Sequence, residues 1–182
     1  SILILVCVTG VLHTVGAQDF GLAQPVLKRV SSSPFSVSKE HFTPRGFTFS
    51  SDGKRMFTID EFRQRLLQYT LTTAFDVSTA AFDNTSMLIS QDSDPLDVVF
   101  SQDGTKMFIV GEGSNGDVYQ YSLTTAFDIA TATYDNNSLP TNIQDPRPQS
   151  LYFSPDGKRL ILVGSAATIV FDYSLTTAYD LS

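Results

Sequence analysis

Three carboxylates within six residues, Asp92, Asp94 and Asp97 in QDSDPLD, form the densest set of ligands or proton carriers in the chain. Oxygen-only cages suit hard cations such as calcium, but this spacing matches no standard calcium loop, so an acidic connecting loop is expected. Gly111-Glu112-Gly113-Ser114-Asn115-Gly116 has the G-x-G-x-x-G spacing of a dinucleotide fingerprint. That chemistry needs a strand before the glycines and a helix after them, so that phosphate meets helix N-terminal amides. Strand-like residues lie on both sides here, and the segment reads as a hairpin loop. His41, in SKEHFTP, is the only histidine beyond His13. A Ser-His-Asp triad would have to be built on it, no G-x-S-x-G accompanies it, and it reads as a solvated or packed lone histidine. A carboxylate pair for glycoside hydrolysis has many candidates among 19 acidic residues, none of them singled out by spacing. Asn84-Thr85-Ser86 and Asn136-Asn137-Ser138 are N-x-S sequons at matching positions, glycan acceptors only in a eukaryotic host.

The elements that position these residues repeat. FSSDGKRMF from Phe49, FSQDGTKMF from Phe100 and FSPDGKRLI from Phe153 are each followed by a tyrosine-centred run. Those runs are QYTLTTAFD from Gln68, QYSLTTAFD from Gln120 and DYSLTTAYD from Asp172, giving a period of about 52 residues. Within one period the apolar pattern is that of short strands, with no helical stripe. LDVVFS from Leu96 and KMFIV from Lys106 flank Asp103-Gly104, a hairpin signal because glycine accepts the positive φ of the turn and aspartate bonds its own backbone. A third strand runs from Val118 to Leu123, and a fourth lies near residues 131–137 after the TTAFD corner. Four antiparallel strands per period describe one blade of a β-propeller. Phe75, Phe127 and Tyr179 are expected as wedges between blades, and Asp76, Asp128 and Asp180 as turn residues.

The DGTKMFIVG and VYQYSLTTAFD phrases resemble the propeller repeats of secreted and phage-associated bacterial proteins, similar in kind to the YVTN and NHL repeats. The likeness covers residues 43–182. It implies a central channel and a loop-built binding face, in families that are mainly interaction modules with some enzymes among them. This chain departs from WD40 repeats in having no tryptophan and no Trp-Asp pair.

The N-terminal run ILILVCVTGVLHTV from Ile2 is free of Lys, Arg, Asp and Glu and ends in Val15-Gly16-Ala17. Small residues at that spacing suit a signal peptidase, and about 14 apolar residues fall short of the roughly 20 of a membrane-spanning helix. Residues 1–17 are therefore expected to be a signal peptide, cleaved after Ala17, with the only cysteine, Cys7, lost with it. Residues 18–42 form an N-terminal segment in which Val30 to Ser38 faintly echoes a blade corner. Blades follow at residues 43–94 and 95–147, with a partial third at 148–182. Three blades fall short of the four to eight that usually close a ring, so the sequence reads as a fragment of a longer propeller, or as one of several chains sharing a ring.

A net charge of −7 with only paired basic residues argues against nucleic acid or an anionic membrane surface. From sequence we expect a secreted, all-β, incomplete β-propeller acting as a non-catalytic scaffold for a protein or glycan, with no cofactor. The alternatives are a subunit completed by other blades or copies through open edges, and a fragment of a propeller hydrolase or lactonase. For the latter, the segments at residues 92–97 and 142–148 deviate between copies and would carry the site.

Overall fold

The computed structural model describes residues 4–8, 11–15, 34–113 and 116–182. It divides into two units, residues 1–33 and 34–182, each described by itself. In the first, β1 (Ile4–Val8) and β2 (Val11–Val15) pair antiparallel. The cleavage position after Ala17 lies outside the described residues. No helix among the described residues is long and apolar enough to cross a membrane.

The second unit is an incomplete β-propeller of three antiparallel sheets. The first blade comprises β3 (Pro44–Phe49), β4 (Arg55–Asp60), β5 (Arg65–Leu71) and β6 (Ala80–Leu88). The second comprises β7 (Pro95–Phe100), β8 (Lys106–Gly111), β9 (Val118–Leu123) and β10 (Ala132–Leu139), and the third β11 (Pro148–Phe153), β12 (Arg159–Gly164) and β13 (Val170–Ser174). Strands pair in sequence order within each blade. Of the first strands, β7 contacts β3 on one side and β11 on the other, forming the inner arc, whereas β6 lies against the corner of the next blade.

Each Asp-Gly turn is built twice over. Gly53, Gly104 and Gly157 take φ of +69°, +73° and +67°, and the preceding carboxylate accepts the amide two residues on, Lys54, Thr105 or Lys158, at 2.9–3.0 Å. The aromatic corner then closes over the glycine. A Cβ on Gly104 would lie 2.3 Å from the Phe127 ring, and the equivalents hold for Phe75 on Gly53 and Tyr179 on Gly157. These aromatics are therefore clasps on their own blade's turn more than wedges between blades. Phe75 is exposed, while Phe127 also borders the core between the first and second blades. Each ring is held at positive φ, +59°, +56° and +55°, and the following Asp76, Asp128 and Asp180 accept the amide two residues further on.

Apolar faces stack blade on blade. Phe57, Ile59 and Leu66 of the first blade pack on Val98, Met107, Ile109, Tyr119 and Tyr121 of the second. The equivalent Phe108, Val110 and Val118 of the second pack on Leu151, Phe153, Leu160 and Leu162 of the third. A polar contact sets the register. Gln68 Oε1 accepts the Ile129 amide at 3.1 Å and Gln120 Oε1 accepts the Leu181 amide at 2.8 Å, the same pair of positions one repeat apart. Each glutamine also donates to an aspartate of its own outer strand, Asp83 or Asp135.

Replacing Gly104 by alanine adds a Cβ against the Phe127 ring at a φ that L-residues avoid, and a loss of about 1 kcal/mol or more is expected. Urea unfolding of Gly104→Ala, Phe127→Ala and the double variant should show non-additive losses; strict additivity would sink the clasp.

Candidate functional site

Three inner strands start side by side at Pro44, Pro95 and Pro148, and the second strands end beside them. Backbone bonds repeat there in register: the Glu61 amide to Thr43 O, Glu112 to Asp94 O and Ser165 to Arg147 O, at 2.9–3.1 Å. Glu61, Glu112 and Ser165 thus occupy one ring of equivalent positions at the channel mouth, with Arg45, Leu96 and Gln149 another.

Side chains cross both blade seams at this end. The Arg45 guanidinium pairs with Glu61, and the Asp94 carboxyl of the next blade feels the Glu61 charge. Asp94 in turn feels the charge of Glu112, which accepts hydrogen bonds from Gln149 of the third blade and, at 3.5 Å, from the Ser165 hydroxyl. The hydrogen bond and charge of Arg45 hold the Glu61 carboxyl below its usual range. Burial first, then the neighbouring acidic groups Glu61, Glu112 and Asp92, push Asp94 up. Two carboxyls of adjoining blades are thus displaced in opposite directions, the kind of difference that separates acid from base roles.

Next to this mouth is a shallow, open pocket of about 380 Å³ lined by Arg45, Gly46, Phe47, Leu96, Asp97, Gln149 and Ser150. Asp97 projects between blades. Its carboxylate accepts the Ser150 hydroxyl at 2.5 Å and the Leu151 amide at 3.2 Å, and burial raises its pKa. Gly46, at the equivalent position of the first blade, leaves the space, since a Cβ there would lie 2.6 Å from Asp97 Oδ1.

The acidic loop at residues 92–97 therefore divides its labour. Asp92 is buried and structural, accepting the amides of Asp94 at 2.8 Å and Gly113 at 3.0 Å. Asp145, its counterpart in the 142–148 loop, does the same for Arg147 and Ala167, each at 2.8 Å. In the first blade this position is His41, and the buried carboxylate comes instead from Asp60, which accepts the amides of Phe42 and Thr43 at 2.9 and 3.2 Å. The second and third blades carry Gly111 and Gly164 where the first has Asp60; a Cβ on Gly111 would lie 2.1 Å from Asp94 O, and one on Gly164 2.4 Å from the Asp145 carboxylate.

His41 is a packed histidine. Its Nε2 lies 2.6 Å from the Thr58 hydroxyl, its ring stacks on Tyr69, and burial lowers its pKa. The G-x-G-x-x-G segment joins strands β8 and β9, with Ser114 and Asn115 outside the described residues. Among the described residues no group of three or more His, Cys, Asp or Glu has metal-binding geometry. Sequence reading missed Arg45, Glu61, Glu112 and Gln149, which lie far apart in the chain. The one signal available was their place in the repeat, where chemically different residues stand at equivalent positions.

No family model and no curated protein matches the sequence. Among solved structures, the fold matches a protein assigned as a 6-phosphogluconolactonase from Bacteroides uniformis, with TM-score 0.59 and 15% identity over 98% of this chain and 45% of that one. A counterpart from Bacteroides fragilis gives 0.58 and 15% over 76% and 37%. The periplasmic gluconolactonase of Pseudomonas aeruginosa gives 0.53 and 14% over 72% and 35%. The chain thus spans less than half the length of these structures. The likeness shows the β-propeller fold. It also corrects the expectation of a non-catalytic scaffold for protein or glycan, because these neighbours bear the names of sugar-lactone enzymes. The physical reason the sequence misled is that the convergent carboxyls come from different blades.

Asp92→Ala would leave two buried amides without an acceptor and is expected to lose about 1–3 kcal/mol, whereas Asp92→Asn keeps an acceptor and loses less. Equal losses in chemical denaturation would refute the pinning role. Asp97 has its pKa raised by burial, so its contribution is complete at acid pH and fades as pH rises through the raised value. The stability of the unaltered protein relative to Asp97→Asn should fall as pH rises above about 4, the ordinary aspartate value; a difference that rises with pH there reverses the assignment.

Proposed function

We propose that this chain is part of a propeller that hydrolyses sugar lactones, with the channel mouth as its reaction centre. The pair of Glu61 and Asp94 from adjoining blades, displaced in opposite directions, carries this reading. A lactone bound at the channel mouth, beside the pocket of Arg45, Leu96 and Gln149, would be acted on by these two carboxyls. Ionised Glu61 takes a proton from the attacking water as its oxygen bonds to the carbonyl carbon. Protonated Asp94 gives its proton to the ring oxygen as the acyl carbon–oxygen bond breaks. Glu61 then gives up its proton and Asp94 takes one back, restoring the starting state. Arg45 steadies Glu61 as the anion, and the Gln149 and Ser165 contacts to Glu112 keep that carboxylate turned to the third blade.

The similarity in fold to lactonase-type propellers supports the substrate class. An exported location belongs to the same proposal. It is supported by the uncharged apolar run ending in Val15-Gly16-Ala17 and by one neighbour that is named as periplasmic.

Hydrolysis of gluconolactone by the full chain should exceed the uncatalysed rate, and Asp94→Asn and Glu61→Gln should each lower it by about 10²–10⁴-fold with the fold retained. No acceleration by the full chain, or full rates in both variants, defeats the proposal.

A further inference from the structure

At the end of the blades formed by the Asp-Gly turns, the repeat sets three aromatic pairs. Phe49, Phe100 and Phe153 close the inner strands β3, β7 and β11, and each packs on the clasp ring of its own blade, Phe75, Phe127 or Tyr179. The ring centres lie 5.5, 5.4 and 5.3 Å apart. Among these rings is a cavity of about 290 Å³, walled by Phe49, Phe100, Phe127, Phe153, Tyr179 and, from the middle inner strand, Val99. Its walls come from three successive blades. Five residue rises along each inner strand, about 17 Å, separate it from the prolines at the reaction mouth.

The chemistry of this cavity is the reverse of that mouth. Among the described residues no Asp, Glu, Lys, Arg or His lines it, in a chain of net charge −7. The acids of the adjoining turns are engaged locally, Asp52 and Asp103 each accepting a serine hydroxyl, of Ser50 and Ser101, at 2.6 Å. Neutral polar groups complete the lining. Ser51 and Gln102, at one turn position of successive blades, are exposed, and no hydrogen bond within the protein engages either side chain. Thr48 and Tyr152 add hydroxyls.

A cavity near 300 Å³ that is mostly apolar, with a few neutral polar groups, has the size and character of a small-ligand site. The lining also selects the ligand. A charged group would lose its hydration with no counter-charge to receive it. A pyranose carries hydroxyls around its whole edge, and aromatic walls would leave most of them unpaired. An aromatic ring meets the rings already there, and one hydroxyl at its edge finds Ser51 or Gln102.

We infer that the turn end of the inner strands holds a second binding site, and that it takes an uncharged phenol of one or two fused rings. It shares no residue with the reaction mouth and stands whether or not lactones are hydrolysed there.

2-Naphthol is the probe; at about pH 7, below the usual phenolic range, it is uncharged. Nuclear magnetic resonance titration of the full chain should show one saturable site for it, with 2-naphthalenesulfonate about tenfold weaker or more. Turn positions 51, 102 and 155 hold Ser, Gln and Pro, so this position accepts varied side chains. Ser51→Trp should fill the cavity and weaken binding about tenfold or more with circular dichroism unchanged. Gln102→Ala removes one hydrogen bond and should weaken binding about two- to tenfold. Gluconolactone should leave the bound probe in place. Absence of saturable binding, sulfonate bound as tightly as naphthol, affinity unmoved in both variants, or displacement by gluconolactone overturns the inference.

Discussion

The amide of one blade's corner ends on the glutamine of the blade before it, Ile129 on Gln68 and Leu181 on Gln120, beneath two layers of buried apolar side chains. Apolar burial supplies the driving force for stacking but is non-directional, so sheets could slide by a strand residue at little cost in covered area. A buried amide and a buried carboxamide must meet within hydrogen-bond distance, and leaving either unpaired is costly. That condition fixes the rotation and height of each sheet on the next. Every interaction across a seam at the channel mouth, Glu61 to Asp94 and Asp97 to Ser150 among them, is positioned by this register.

Below that level, the mouth is held by a carboxylate that moves between two places in the repeat. Asp60 supplies it from the second strand of the first blade, and Asp92 and Asp145 supply it from the connecting loop of the next two. Only one of the two positions can hold a side chain, because the Cβ of a residue at Gly111 or Gly164 would strike the loop or its acid. Where the loop acid is absent, His41 fills its space and finds the Thr58 hydroxyl. With Asp60, Asp92 and Asp145 buried as pins, Asp97 and Glu112 are left to make contacts across the blade seams, to Ser150 and Gln149.

The strand order, the Asp-Gly turns and the all-β architecture were legible because each rests on local chemistry repeated three times. Gly53, Gly104 and Gly157 take positive φ wherever they stand, and alternating apolar residues form strands whatever lies across from them. The roles of the three acidic residues in QDSDPLD were not legible. Asp92 differs from Asp97 in what lies opposite each, Gly113 for one and Ser150 for the other, and neither partner is near in sequence. Phe75, Phe127 and Tyr179 were read as wedges because an aromatic in a repeat suggests packing between units. The clasp on the glycine appears only once the corner is seen to fold back on its own turn.

The amino-acid sequence by itself determined the period, the strands, the turns and hence the propeller class, since all of these follow from backbone preferences and apolar periodicity within a single repeat. Tertiary structure alone decided which carboxyls converge, and that Arg45 lowers Glu61 while burial raises Asp94. The reason is that these properties depend on distances across blade seams and on solvent exclusion, and the repeat leaves the residues at its equivalent positions free to differ.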